Sequence, residues 1–486
     1  MTDTVATEKL NTKDVKRFTE GSLFKNILLF SLPLMLSQVL QVLFNISDVI
    51  IVGKGTPNPT IPVGAVGSNS TLLTLFTGFL IGLGAGVNVR VAQYLGAKKE
   101  DDVKSTVSTS LVLSVIMGLL IFAVCFVFAE NILVMLETKS ELLDKAVIYL
   151  KIYSCGMPAM AIFNYGNGVL SAAGDTRRPL IYLTASGIMN IGLNFFFVLV
   201  CKLDVEGVAL ASIITQYVSA ILVMVRITTV KGDYKLDFKK FVFSGKKAAE
   251  VLYLGIPAGL QNAIFAIANI FIQKSINHTF PYKVVTGNGV SQNVDSIIYN
   301  VMMAFYTACS TFIGQNYGAG KKDRVLKSYF ISTGYAFVIG SVLGISSYIF
   351  GRPILSLFDP DPEVVAAGME KLKIMGVCYG IGAFMDASLA ASRGLGKSLA
   401  PTIIVIMGSC VFRFVWLYTV FAKYQTIPSL YLLYPVSWVL TAIFEIGYFF
   451  MAYKKLVNKP PLPQPTQPPQ PITEEGTTPD EITTNN

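Results

Sequence analysis

The chain has 486 residues, of which 52% are hydrophobic and only 14% charged, with a formal net charge of +9. So little charge on so long a chain excludes a soluble globular enzyme, and the basic excess carries none of the aromatic interleaving of a nucleic-acid-binding module. The apolar residues fall instead in a dozen blocks of about 20 or more, the length that crosses about 30 Å of hydrocarbon. With no water in the bilayer core, each block must satisfy its own backbone. The expected fold is therefore an all-α integral membrane protein of twelve transmembrane helices.

In chain order, a leader over 1–23 precedes spans at 24–53, 62–92, 106–129, 143–170, 179–201 and 205–225. A basic linker, 226–247, separates these from spans at 248–276, 284–315, 329–350, 364–390, 401–421 and 428–453. The first block follows polar residues of both signs and ends in no small-residue cleavage site, so it reads as a retained span. Beyond it, residues 454–486 read KKLVNKPPLPQPTQPPQPITEEGTTPDEITTNN, a Pro-rich tail that cannot bury a core and is expected to be disordered. The cysteines at 125, 155, 201, 309, 378 and 410 all lie in or beside apolar blocks, as small buried hydrophobes do. His278 falls at a predicted helix end, where a structural or solvated role outweighs a proton relay.

Lys and Arg concentrate on alternate loops, 26 on the side of the N-terminus against 11 on the other. The positive-inside rule then places both termini in the cytoplasm and makes the net charge a matter of topology and anionic lipid.

Span 1 contains LPLMLSQVLQVLFNISDVIIVG, with Asp48 deep in it and Asn45 one turn before. A carboxylate at that depth costs about 2.5–3.5 kcal/mol on insertion scales, so it faces a protein interior or an aqueous cavity and is functional by default. Asn190 and Asn194 on span 5 are four apart and share a helix face. Amide oxygens beside one carboxylate suit a small hard cation, and a carboxyl group deprived of water also accepts a proton. The plainer reading of such asparagines is hydrogen bonding between helices. Pro33, fifteen residues before Asp48, removes one helix hydrogen bond and marks either a hinge or a static kink.

An internal repeat is also legible. QYLGAKKEDDV from Gln93 aligns on QNYGAGKKDRV from Gln315 at an offset of 222, Pro33 falls on Pro257 and Asn45 on Asn269 at 224, and the Gly174 turn falls on Gly394 at 220. Two six-helix bundles follow, over 24–225 and 248–453, and because six is even they are parallel repeats about an axis along the membrane normal.

The segments PLMLSQVLQVLFNISDVIIVG, GLGAGVNVRVAQYLGAKKEDD and GMPAMAIFNYGNGVLSAAGDTRRPL together resemble the multidrug and toxic compound extrusion (MATE) family over about residues 24 to 453. The resemblance implies a V-shaped transporter of two pseudo-symmetric bundles that exports organic compounds in exchange for protons or sodium ions. It implies that Asp48 is the cation site, that Asn164, Asn190 and Asn194 face it with Ser212 near, that a sodium ion would be held by Asp48, Asn190 and Asn194, and that cation binding alters the bend at Pro33. Asn194 stands where some relatives carry a second acid, which leaves Asp48 the sole carboxylate of that cluster. In the second half, GIPAGLQNAIFAIANIF of span 7 offers Gln261, Asn262 and Asn269 but no glutamate, Asp386 on span 10 is a second candidate acid, Arg413 and Glu445 could pair, and Arg90 would snorkel or cap.

The expected activity is a cation-coupled antiporter of drugs or other amphipathic organic compounds in the plasma membrane, working as a monomer with no cofactor beyond its coupling ion and no nucleic-acid partner. The alternative is a flippase for lipid-linked oligosaccharides, but gripping a pyrophosphate calls for several inward cations, and within the spans Arg90 and Arg413 stand out. A membrane enzyme would need clustered His, Glu or Cys, and a channel a repeated selectivity ring.

Overall fold

The computed structural model describes residues 17–55, 60–136 and 138–458; most of the leader, the tail beyond residue 458 and the side chain of Asn45 lie outside the described residues. The first half runs through α1 (Leu23–Gly55), α2 (Thr60–Gly96), α3 (Glu100–Val127), the short α4 (Ala129–Met135), α5 (Ser140–Ser154), α6 (Met157–Ala172), α7 (Arg177–Phe195) and α8 (Val205–Thr229). The second continues through α9 (Gly245–Thr279), α10 (Tyr282–Gly318), α11 (Lys322–Ile349), the short α12 (Gly351–Ser356) and α13 (Pro362–Gly394). It closes with α14 (Leu399–Val405), α15 (Phe412–Trp416), α16 (Ala422–Tyr424), α17 (Ile427–Tyr431) and α18 (Leu433–Val457), and π-helical turns extend α7 over Phe196–Val200 and join α14 to α16 over Ile406–Val411 and Leu417–Phe421.

Eleven helical stretches among the described residues are long and apolar enough to cross a membrane, and a twelfth is the bent pair α5 and α6. Within the expected span over 143–170 the helix turns by 46° between Ser154 and Met157. Pro158 cannot donate to the Ser154 carbonyl, and Cys155 and Gly156 tighten into turns on the Ile152 and Tyr153 carbonyls. By contrast α1 and α9 run unbroken through Pro33 and Pro257, and the Ser37 hydroxyl donates to the Pro33 carbonyl at 2.9 Å. The outer faces carry exposed Ile116, Leu119, Leu120, Phe330 and Val342, the surface that lipid solvates.

The repeat holds at a constant 222. Helices α3 and α11 are both 28 residues long and begin at Glu100 and Lys322, and the turns before them take a left-handed residue at Lys98 and Gly320. Likewise Gly174 and Gly396 both have positive φ, so the structural mate of Gly174 is Gly396 and not Gly394. Pro33 and Pro257, at 224, lie two residues out of this register. Lys98 bears a side chain at φ +56° where its mate is glycine, so Lys98→Gly is expected to stabilise the protein by about 1 kcal/mol, seen as a higher melting temperature in detergent.

The halves meet along α2 and α9, where Gly82 lies against the backbone of Ala258 and Gly259 so closely that any side chain there would collide. At the end that carries the linker, the Gln93 amide donates across the halves to the Gly394 carbonyl at 2.8 Å, and the Gln315 amide to the Ala172 carbonyl at 2.7 Å. Donors and acceptors are each 222 apart. Gly96 and Gly318 leave room for this crossing, each against the backbone of the opposite glutamine. The leader joins in: Phe18 is buried against Phe30 and Phe312, and its carbonyl accepts from Asn316 and Arg324, each at 3.1 Å. Gln93→Leu and Gln315→Leu are each expected to cost the closed arrangement about 1 kcal/mol, to the same degree, read as the fraction of molecules with this end apart in spin-label distance measurements.

Candidate functional site

Helix α1 delivers Asp48 to the face of α7. The approach is close because Gly187 has no side chain: the Phe44 ring, one turn before Asp48, fills that space one turn before Asn190. On the other side of Asp48, Ile51 packs with Val198 and Val208 and closes the site with apolar groups. Asp48 is partly buried. The Asn194 amide donates to its Oδ1 at 2.6 Å and also reaches Asn190 Oδ1 at 3.2 Å.

This arrangement uses the donor of Asn194 and leaves its Oδ1, on a fully buried side chain, with no partner among the described residues. A buried acceptor without a donor is rare and asks for water, a proton or an ion. The carboxylate of Asp48 and the side-chain oxygens of Asn190 and Asn194 are hard oxygens of the kind that suit a small hard cation, and in this arrangement the Asn194 amide nitrogen is hydrogen-bonded to the first two. Two tyrosines absent from the sequence-based list, Tyr149 and Tyr153, lie within electrostatic reach of Asp48. Their spacing of four in AVIYLKIYS was the available signal, since it puts both on one face of α5. Behind the bend of α5 and α6, Gln216 of α8 rests against Gly156 with its Oε1 likewise without a partner among the described residues.

Neither of two other expected neighbours is hydrogen-bonded to Asp48 among the described residues. The Asn164 amide donates to the Met160 carbonyl of its own helix at 2.9 Å, and Ser212 is buried with no hydrogen bond from its hydroxyl to Asp48 among the described residues. Gly84 packs against the Asn164 backbone, which places that residue at the crossing of α2 and α6.

In the second half, Asp386 of α13 is partly buried in the field of Arg393 and Arg413. Glu445 does not pair with Arg413: both its oxygens are buried without a hydrogen-bond partner among the described residues, and Arg393 is the cation nearest in effect. Arg413 instead lies over the Tyr434 ring at 4.5 Å and reaches Ser437 at 3.4 Å. Gln261 accepts from Arg393 at 2.7 Å, Asn262 donates across the halves to the Gly78 carbonyl at 2.8 Å, and Asn269 is exposed. Arg90 donates to Gln93 at 2.9 Å and so supports the crossing described above.

The inward cations are more numerous than the sequence suggested. Lys371, a residue of α13, is 2% exposed and pairs with Asp295 of α10 at 2.7 Å. Its Nζ also donates to Gln292 at 2.9 Å, and the Tyr379 hydroxyl donates to Asp295. With the half-buried Arg393 this gives two inward cations beyond Arg90 and Arg413, both engaged by the protein's own groups.

Comparison with known proteins agrees with this architecture. The MatE family model matches twice, over residues 33–196 and 257–419, once in each half. The chain is 26% identical to the "Probable multidrug resistance protein YoeA" of Bacillus subtilis (strain 168), covering 90% of this chain and 96% of that protein. It is 24% identical to the "Multidrug export protein MepA" of Staphylococcus aureus (strain MSSA476), covering 81% and 86%. Among solved structures, a MOP superfamily transporter from Pyrococcus furiosus, described under the heading "Reverse polarity of binding pocket suggests different function", superposes with a TM-score of 0.85 at 21% identity over 92% of this chain and 99% of that one, which shows the shared fold. Two bundles of membrane-crossing helices, repeated at 222 residues and each matched by the same family model, make this chain a transporter of the MatE family, not an enzyme.

Proposed function

We propose that this transporter is an antiporter, exporting amphipathic organic compounds across the plasma membrane in exchange for protons or sodium ions that bind at Asp48. The observation that carries the reading is the hydrogen bond from Asn194 to Asp48 at 2.6 Å, inside an apolar span, with the buried Asn194 Oδ1 left over. A sodium ion would take the oxygens of Asp48, Asn190 and Asn194; a proton would take the carboxylate alone. The names of the two relatives support organic compounds as cargo.

The two lobes rock about the α2–α9 contact, and the crossing of Gln93 and Gln315 holds one of the two arrangements. Direction follows if the cation and the cargo prefer opposite arrangements, since a ligand shifts an equilibrium only by its differential affinity. The leader, linker and tail lie in the cytoplasm, and the protein works as a monomer. Lys371 and Arg393 are committed to Asp295 and Gln261 and are not free to grip a pyrophosphate, which disfavours a flippase.

Dye accumulation in inverted vesicles under an imposed proton or sodium gradient tests the proposal. One gradient is expected to drive transport. Movement indifferent to both would replace the antiporter with a facilitator.

A further inference from the structure

The linker between the halves leaves six consecutive residues exposed, Phe238, Lys239, Lys240, Phe241, Val242 and Phe243. Phe238, Val242 and Phe243 are 62%, 54% and 55% exposed, the opposite of what apolar side chains do beside water. The segment is nonetheless well held. Tyr234 and Leu236 before it are buried in the core of the first half, the Ser244 backbone N–H after it donates to Thr109 at 3.1 Å, and Lys247 pairs with Asp102 at 2.7 Å. Within it, the Asp237 carboxylate accepts from the Lys239 backbone at 2.9 Å and closes a single 3₁₀ turn, which stacks the rings of Phe238 and Phe241 at 6.4 Å and 6°.

Position and charge identify what covers this patch. The segment joins α8, ending at Thr229, to α9, beginning at Gly245, and both cross the membrane, so it lies at headgroup depth. Lys231, Lys235, Lys239, Lys240 and Lys246 form no ion pair among the described residues. Aromatic rings fit the interface between headgroups and acyl chains, and unpaired lysines beside them fit phosphate.

We infer that residues 238–243 are a docking surface for anionic phospholipid of the leaflet they face, with Phe238, Phe241 and Phe243 entering the interface and Lys239 and Lys240 binding headgroup phosphates. A neutral bilayer would satisfy the rings alone; the interleaved lysines set the preference for negative lipid. The linker is thereby fixed to the membrane plane between two lobes that move relative to each other.

The test uses the full-length protein in vesicles. Phe241→Trp places an indole in the segment, and its emission, after subtraction of wild type with its own two tryptophans, is quenched with lipids brominated near the headgroup. Brominated phosphatidylglycerol is expected to quench at lower mole fraction than brominated phosphatidylcholine, and removing each lysine with Lys239→Gln and Lys240→Gln is expected to reduce that preference about fivefold. An indole that emits as in water and is quenched by iodide but by neither bromolipid would overturn the inference. Equal quenching by the two lipids with both lysines present would overturn it as well. Neither readout depends on transport, so the result stands apart from the coupling mechanism.

Discussion

Asp48→Asn is expected to lower gradient-driven transport about a hundredfold while cargo binding persists. The substitution keeps the size of the side chain and still offers Asn194 an oxygen, so the hydrogen bond at 2.6 Å has a substitute and the helices stay packed. Only the negative charge is lost. A coupling ion that no longer prefers one arrangement of the lobes cannot bias them, and the gradient is disconnected from the cargo. Asn194→Leu, which keeps the carboxylate but removes its donor and the spare oxygen, is expected to cost about tenfold, the size of one hydrogen bond to a charged group. Transport in inverted vesicles and dye binding by fluorescence polarisation separate the two effects. Wild-type transport by Asp48→Asn would remove this residue from the mechanism.

Lys371→Met is expected to destabilise the second half by about 3–5 kcal/mol, because it strands Asp295 away from water with its cation gone. Tyr379 still donates to Asp295 but brings no charge. Asp295→Leu alone strands Lys371 in the same way. The double variant Lys371→Met with Asp295→Leu should regain most of the loss, since two apolar groups of similar size remove both charges together. Thermal unfolding in detergent measures all three. If the single variants melt with wild type, the pair is not a desolvated one.

The sequence carried the architecture well. The twelve apolar blocks correspond to the eleven long helical stretches and the bent pair of α5 and α6, with shifts at their ends, and the motif at Gln93 and Gln315 already contained the offset that the helices and turns obey. The asparagines at 190 and 194 could be placed on one face by their spacing alone. What spacing could not supply was the partner of each side chain. Asn164 lies on an apolar helix as Asn194 does, yet its amide turns back onto its own backbone. Which direction wins depends on the neighbouring helix, and no periodicity records it. Lys371 was hidden for a different reason: it falls near the start of the expected span 364–390, where a long cation can snorkel to the interface, and only its counter-ion on another helix shows that it turns inward. The bend at Cys155 and Gly156 was written in Pro158, a local signal overlooked because the apolar run continues through it.

The crossing of Gln93 and Gln315 has one further meaning. Each half offers a donor and an acceptor to the other, and the two offers are the same, as in an isologous interface of a two-fold dimer where residue i meets j and j meets i. Each half on its own therefore still bears, at that end, both elements needed to grip a second copy of itself, and a duplicated and fused ancestor that once dimerised in the bilayer is the simplest source of such a surface.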